Sequence, residues 1–480
     1  MPPKKREAAG ANGKAPKSKR QKKKKDEFDD SDSDVGVDEA NNGNGPQVVE
    51  DTGPAVDITL EAPMISGELL LCGMMNWDMT GRKSLPKGAN SKGPNLWKPN
   101  RLAGITGEVR VRTIVSSSMS AHNVIIDTAG KAYSFGRNDK GQLGLGHLNR
   151  VDKPTVIECL DGLNIIAAAT GRSHTLFLTD KGQVFSCGEN KMGQLGIGTS
   201  VAHVASPQRI AYRGPPVRTF ACGAEFSMMA DIRGNLYSFG CPEYGQLGHN
   251  TDGQYFLTSN KLSFHFETTP RKVAVWIEKS RDGRVTPIVD VEVREIACGI
   301  NHTVVVDSKK RVFSWGFGAY GRLGHAENKD EMVPRLIKSF EGLNRGASTV
   351  KAGSSFSFAV TETGALMFWG QTKTSGEATM YPKPVMDLSG WRIRSVGCGK
   401  SSVVVAADDS VVAWGPSPAY GELGFGEGCK SSTTAKEVKN LEGLYIHTVS
   451  CGQSHTLMLA RVDTEEEKAS LNKLPLYTPG

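Results

Sequence analysis

Residues 138–146 read Asn138-Asp139-Lys140-Gly141-Gln142-Leu143-Gly144-Leu145-Gly146, and the same turn returns fifty-two positions later as Asn190-Lys191-Met192-Gly193-Gln194-Leu195-Gly196-Ile197-Gly198. Weaker copies run from Glu243 to Gly248, from Tyr320 to Gly324 and from Tyr420 to Gly424. Glycine belongs where the backbone must reach positive φ, and the Leu between two glycines predicts a plug for the gap between neighbouring units. A turn that recurs at about fifty residues marks a repeat architecture, not a string of unrelated domains.

Upstream of each turn stands a seven-residue stretch, Gly-x-apolar-x-apolar-x-Gly in its full form, at 67–73, 130–136, 182–188, 234–240, 310–316, 364–370 and 409–415. Its sixth position is Cys72, Phe135, Cys187, Phe239, Trp315, Trp369 and Trp414, and this alternation predicts a strand. A second half-motif lies further upstream, at Thr170-Gly171-Arg172-Ser173-His174, Cys222-Gly223-Ala224-Glu225-Phe226 and Cys298-Gly299-Ile300-Asn301-His302, with relatives at Ser354, Lys400 and Gln453. In five of the six copies from His122 to Ser402 its last residue precedes the closing Gly by 14 positions, so each pair is expected to form a hairpin.

Each half-motif occurs seven times, but the first begins at Gly67 without an upstream partner and the second ends at Cys451-Gly452-Gln453-Ser454-His455 without a downstream one. Each orphan is the missing half of the other. The fold class that follows is all-β: a seven-bladed β-propeller closed by pairing N- and C-terminal strands, which removes the open sheet edges.

Composition agrees with this reading. Gly makes up 55 of 480 residues, above the usual ~7%, and the excess sits in the motifs. No stretch approaches the ~18 apolar residues of a membrane span, and no signal-peptide core is present, so the chain reads as soluble and not secreted. Of nine cysteines, Cys222, Cys298, Cys398 and Cys451 share one repeat position, as buried residues of a reducing compartment would.

Residues 1–62 are expected to be a disordered tail, because long like-charge runs and few aromatics cannot offset the entropy of ordering. Residues 1–25 carry eleven Lys/Arg and one Glu, and residues 26–39 carry eight Asp/Glu and no base. The clusters Lys4-Lys5-Arg6 and Lys17, Lys19, Arg20, Lys22, Lys23, Lys24, Lys25 have the pattern of a bipartite nuclear-import signal, which would engage importins and can also hold nucleic-acid phosphate. Ser31 and Ser33, set among aspartates, are phosphorylation candidates. The propeller is expected over 63–462, and residues 463–480 read as a short charged tail outside the ring.

The turn, taken with the Cys-Gly-x-x-His-Thr half-motif, resembles the regulator-of-chromosome-condensation repeat over about residues 67–460. The strings Ala221–Ser227, Tyr237–His249 and Val312–Glu327 are similar to the second animal branch of that family, not to its founding chromatin-bound exchange factor. The sixth copy departs from the pattern: after Trp369-Gly370 comes Gln371 to Gly376, with no Gln-Leu-Gly. The resemblance implies a nuclear and mitotic regulator, and a closed ring without sheet edges has no need to dimerise, so a monomer is expected. It would reside in nucleus and nucleolus in interphase, at centromeres, spindle and midbody in mitosis, and partly in the cytoplasm. Its roles would lie in chromosome alignment and cell division, with chromatin or nucleosome and microtubule contacts through the basic tail.

Between Gly240 and Gly316 the repeat lengthens from 52 to 76 residues. Here Val273–Ile277 and Val285–Val293 read as two strands around Asp282-Gly283, a strong hairpin signal, and a hairpin projecting from one face with a charged tip is expected. An idle surface loop is the plain alternative, but long ordered insertions are where binding concentrates. In the founding member a projecting hairpin engages a Ras-type GTPase. The resemblance therefore implies that Glu278, Lys279, Ser280, Arg281, Asp282, Gly283, Arg284 and Val285 contact a small GTPase of the Rac, Ral or Arf kind.

Two further motifs are absorbed by the repeat. Gly316 to Gly321 matches G-x-G-x-x-G, but it spans a strand end and a turn with no helix predicted behind it. His122, His174, His302 and His455 recur at one position in separate blades and read as packing residues, not metal ligands. No cofactor or catalytic constellation is expected. Two readings stay open: a guanine-nucleotide exchange factor, which needs no acid or base of its own, and a non-catalytic adaptor for chromatin, centromere or microtubule partners. An enzyme in the propeller channel would need clustered acid/base groups that the sequence does not offer.

Overall fold

The computed structural model describes residues 58–88, 93–105, 107–280, 282–372 and 377–480, with the backbone of Val49–Glu50. The two half-motifs fall on adjacent strands. In blade 3 the strands are Ile165–Thr170, His174–Thr179, Val184–Glu189 and His203–Arg209, counted from axis to rim. His174 faces Gly188, as Phe226 faces Gly240 in blade 4 and His302 faces Gly316 in blade 5. The fixed spacing in sequence is this register. Period-2 alternation disappears from the second strand, where all six residues of His302–Asp307 are buried, because a neighbouring blade covers each face of the sheet.

Seven such sheets form the propeller, and blade 1 closes it. Glu68 to Gly73 pairs antiparallel with Ala460 to His455, joining the two ends of the chain. Ile446–Cys451 lies inside this pair and Asn95–Leu102 outside it.

The repeated residues hold blade to blade. Leu143, Leu195, Leu247, Leu323 and Leu423 are all buried. Ser134, Ser186, Ser238 and Ser314 donate to the carbonyls of the first four of these at 2.6–2.8 Å, fixing each turn on its own strand. The indole N–H groups of Trp315 and Trp369 donate to the carbonyls of Gln246 and Arg322 in the preceding blade, at 2.8 and 2.9 Å. Their burial is therefore achieved without an orphaned donor. The outer strands carry Pro99, Pro154, Pro207, Pro270, Pro334 and Pro382. Proline there withholds a donor from the exposed edge and discourages pairing with another chain.

The ends differ from expectation on one side. The segment 463–480, expected as a charged tail outside the ring, folds onto it. A helix over Glu465–Asn472 starts with a capping box between Thr464 and Glu467, buries Leu471 and leads into Leu476–Tyr477, which pairs parallel with Arg101–Leu102 on the rim of blade 1. The acidic run masked two apolar anchors, Leu471 and Leu474, both in the core between blades 7 and 1. At the other end, Leu60 already donates to the Asp180 carbonyl at 2.7 Å, so contact with the ring begins before residue 63.

Candidate functional site

In an antiparallel blade, connections between strands one and two and between three and four lie at one end. Those between two and three, and onward to the next blade, lie at the other. The 76-residue repeat adds a hairpin at each end.

The hairpin at the blade-to-blade connection is the one the sequence predicts, with shorter strands. Only Ile277–Lys279 and Val285–Pro287 pair, Ile277 facing Pro287 and Lys279 facing Val285. The expected strand from Val273 is instead an irregular segment that buries Val273 and Trp276, the latter edge-on to Phe313 and Trp315 with centroids 5.0 and 6.0 Å apart. The expected strand to Val293 likewise breaks after Pro287, and Val293 opens the inner strand of blade 5. Packing of the Trp overrode local β propensity.

Ile277 also pairs parallel with Arg335 on the outer strand of blade 5. Glu278 meets Lys338 at 2.7 Å and Lys279 meets Glu331 at 3.4 Å. Beyond this base the tip is exposed yet internally bonded. Ser280 N–H donates to the Arg284 carbonyl at 2.9 Å, Gly283 N–H to the Ser280 carbonyl at 3.0 Å, and the Ser280 hydroxyl to Asp282, whose carboxyl it holds below the usual range. Val285 is exposed. Arg281 lies outside the described residues, as do all the basic and phosphorylation candidates from Lys4 to Ser33.

The second hairpin was not anticipated. It joins strands three and four of blade 4 as Gln254–Thr258 and Lys261–Phe264, with Phe256 facing Leu262. Its signal in the sequence is two apolar-rich runs around Ser259-Asn260, a turn lacking the glycine that marks the other hairpin. Phe256, Leu257 and Leu262 are exposed, and Tyr255 stacks on His265 at 4.1 Å.

The G-x-G-x-x-G stretch already spends its amides: Gly318 N–H donates to Asp330 at 2.7 Å and Gly321 N–H to Asn328 at 3.0 Å. The four histidines form an inter-blade belt. Their Nε2 atoms meet the next blade at Thr175, Ser227, Ser357 and Asn123, at 2.6–3.0 Å. Burial pushes His122, His174 and His455 down to about 3 and His302 well below its ordinary value, so all four are neutral. The Gly of Gly-x-x-His is a steric requirement, since a Cβ at Gly171 would fall 2.1 Å from the His174 ring.

A ring of seven blades built from one turn and one histidine-anchored hairpin defines a protein class. A family model described as the RCC1-like domain matches residues 68–458, and the chain belongs to that family. Within it the chain is a homologue of the proteins named RCC2. Protein RCC2 of Mus musculus is 56% identical over 426 residues, covering 88% of this chain and 82% of the mouse protein. The RCC2 homolog of Xenopus laevis is 52% identical over 462 residues, covering 93% and 90%. Among solved structures, that of Prp20p from Saccharomyces cerevisiae superposes with a TM-score of 0.66 at 18% identity, covering 87% of this chain and 96% of the yeast chain, a likeness of fold. Among the described residues no helix is long and apolar enough to cross a membrane.

Proposed function

We propose that the chain is a nuclear and mitotic regulator whose propeller binds a small GTPase of the Rac, Ral or Arf type through Glu278 to Val285. The observation that carries this reading is the construction of that hairpin: a base fixed to blade 5 by backbone pairing, two ion pairs and the buried Trp276, and an exposed tip ordered by its own hydrogen bonds. A tip ordered before binding loses little entropy when it docks. Exchange would follow if the tip displaces phosphate or magnesium contacts in the partner, as switch regions release when such contacts are lost. Prp20p of Saccharomyces cerevisiae, alike in fold, has been described with binding properties to Gsp1p and histones, which agrees with a propeller of this fold serving as a protein-binding scaffold. Lys4 to Lys25 would supply nuclear import and nucleosome or microtubule contact, tuned by phosphate at Ser31 and Ser33.

The test is release of fluorescent GDP from Rac-, Ral-, Arf- and Ran-type GTPases by the full chain and by a variant with Glu278 to Val285 replaced by a Gly-Ser turn. Acceleration lost with the hairpin establishes an exchange factor and its site. Hairpin-dependent binding without acceleration makes the chain an adaptor. No binding to any of the four sinks the GTPase reading.

A further inference from the structure

The axis of the ring is shut at the end that carries the Gly-x-x-His turns. In four blades the residue after the motif glycine donates its N–H to the next blade: Arg172 to the Ala224 carbonyl at 3.2 Å, Ala224 to Ile300 at 3.1 Å, Ile300 to Ser354 at 3.4 Å and Gln453 to Ser120 at 3.1 Å. Met119, Ala224 and Ile300 pack together as a small apolar plug. A depression stands at the mouth of the ring over this plug.

The charged residues lining that depression are Arg137, Arg172 and Lys400, with no carboxylate among the lining residues. Ser354 and Gln453 complete its polar wall. Ser354 is 5% exposed, and its hydroxyl has no hydrogen-bond partner among the described residues. A buried hydroxyl left unsatisfied forfeits its hydration without compensation, and such a group calls for an unseen partner. Glu225 meets Arg172 at 2.9 Å, whereas Lys400 is exposed and makes no ion pair among the described residues. The Gln453 amide lies against Gly81 so closely that a Cβ there would sit 2.2 Å from its oxygen. The glycine thus keeps the wall open to the amide.

From this convergence of cations and donors on a blind floor we propose a binding site for one oxyanion group, phosphate or carboxylate, presented by the side chain of a partner protein. Lys400 supplies the free charge, the Ser354 hydroxyl and Gln453 amide supply directed donors, and the closed axis limits the ligand to a terminal group. The site lies at the opposite end of the ring from Glu278 to Val285, so it stands or falls independently of the GTPase reading.

The Met119 and Ile300 methyl groups are reporters in the floor. Methyl NMR of the full chain would be followed during titration with inorganic phosphate, with acetate, and with chloride at matched ionic strength. We expect saturable shifts of these two methyls with an oxyanion and none with chloride, weakened at least tenfold in Lys400→Gln and also weakened in Ser354→Ala, with dispersed spectra showing that both variants fold. Saturation by phosphate alone limits the ligand to a phosphate group and equal saturation by acetate admits a carboxylate; a phosphoserine or aspartate peptide that saturates the same shifts places the group on a side chain, and peptides that do not overturn that assignment. Shifts that never saturate, that match chloride, or that persist unchanged in Lys400→Gln overturn the proposal.

Discussion

The two hairpins of the long repeat use the same secondary structure for opposite ends. Ile277–Pro287 is bonded to the ring through Arg335, Lys338, Glu331 and the Trp276 anchor, and shows solvent a polar tip. Among the described residues the strands of Gln254–Phe264 pair only with each other, and the hairpin shows solvent Phe256, which is 73% exposed. Anchoring by tertiary contacts sets geometry, while self-pairing alone leaves a hairpin marginal in water. The first should therefore share the stability of the ring and the second should not.

Acid gives the largest test of that difference. A histidine buried neutral has its folded pKa depressed, so its stabilising contribution is complete above the unfolded value of 6.5 and is lost as pH falls from there toward about 3. Each belt histidine should cost the ring about 1.4 kcal/mol by one unit below 6.5, so the four together remove about 6 kcal/mol at pH 5.5. Hydrogen exchange at Ile277–Lys279 should quicken with that of the inner strands, while exchange at Gln254–Thr258 changes only by its intrinsic pH dependence. Retained protection at Ile277–Lys279 in a ring that has loosened would break the comparison.

Trp276→Ala is next in size. Removing a buried indole costs about 3–5 kcal/mol, and chemical denaturation should read that loss in the global transition. The GTPase binding proposed for the exposed tip should weaken in parallel, and a denaturation midpoint within error of the parent chain would show that the hairpin is not anchored through this residue. Reversing one ion pair is smaller. Glu278 and Lys338 are both partly exposed, so Glu278→Lys should cost under about 1 kcal/mol in denaturation and be partly restored by Lys338→Glu in the same chain.

The blade count, the closure and the anchored hairpin were legible because each is written in repeated residues or in an Asp-Gly turn. His174 facing Gly188 is a spacing before it is a structure, and so is the orphan strand at Gly67. The rest was hidden for physical reasons. Leu471 and Leu474 sit among Glu465, Glu466, Glu467 and Lys468, and composition cannot show that two apolar side chains in a charged segment find a groove. Val273 to Ile277 has strand-like composition, but the ring demanded Trp276 inward and broke the alternation. Ser354 and Lys400 were visible as repeat positions, yet only a closed ring brings residues from different blades to one axis.

The smallest effect separates the hairpins most cleanly. Phe256→Ser and Leu262→Ser remove exposed apolar surface that buries nothing in the ring, so global stability should stay within about 0.5 kcal/mol by the same denaturation that reads Trp276→Ala. Their effect should appear instead between molecules, since exposed Phe and Leu side chains on a short two-stranded edge favour association. Sedimentation at rising concentration should show less self-association in the double variant. A stability loss of more than 1 kcal/mol would mean that Phe256 and Leu262 bear on the ring after all, and the two hairpins would then differ in chemistry but not in anchorage.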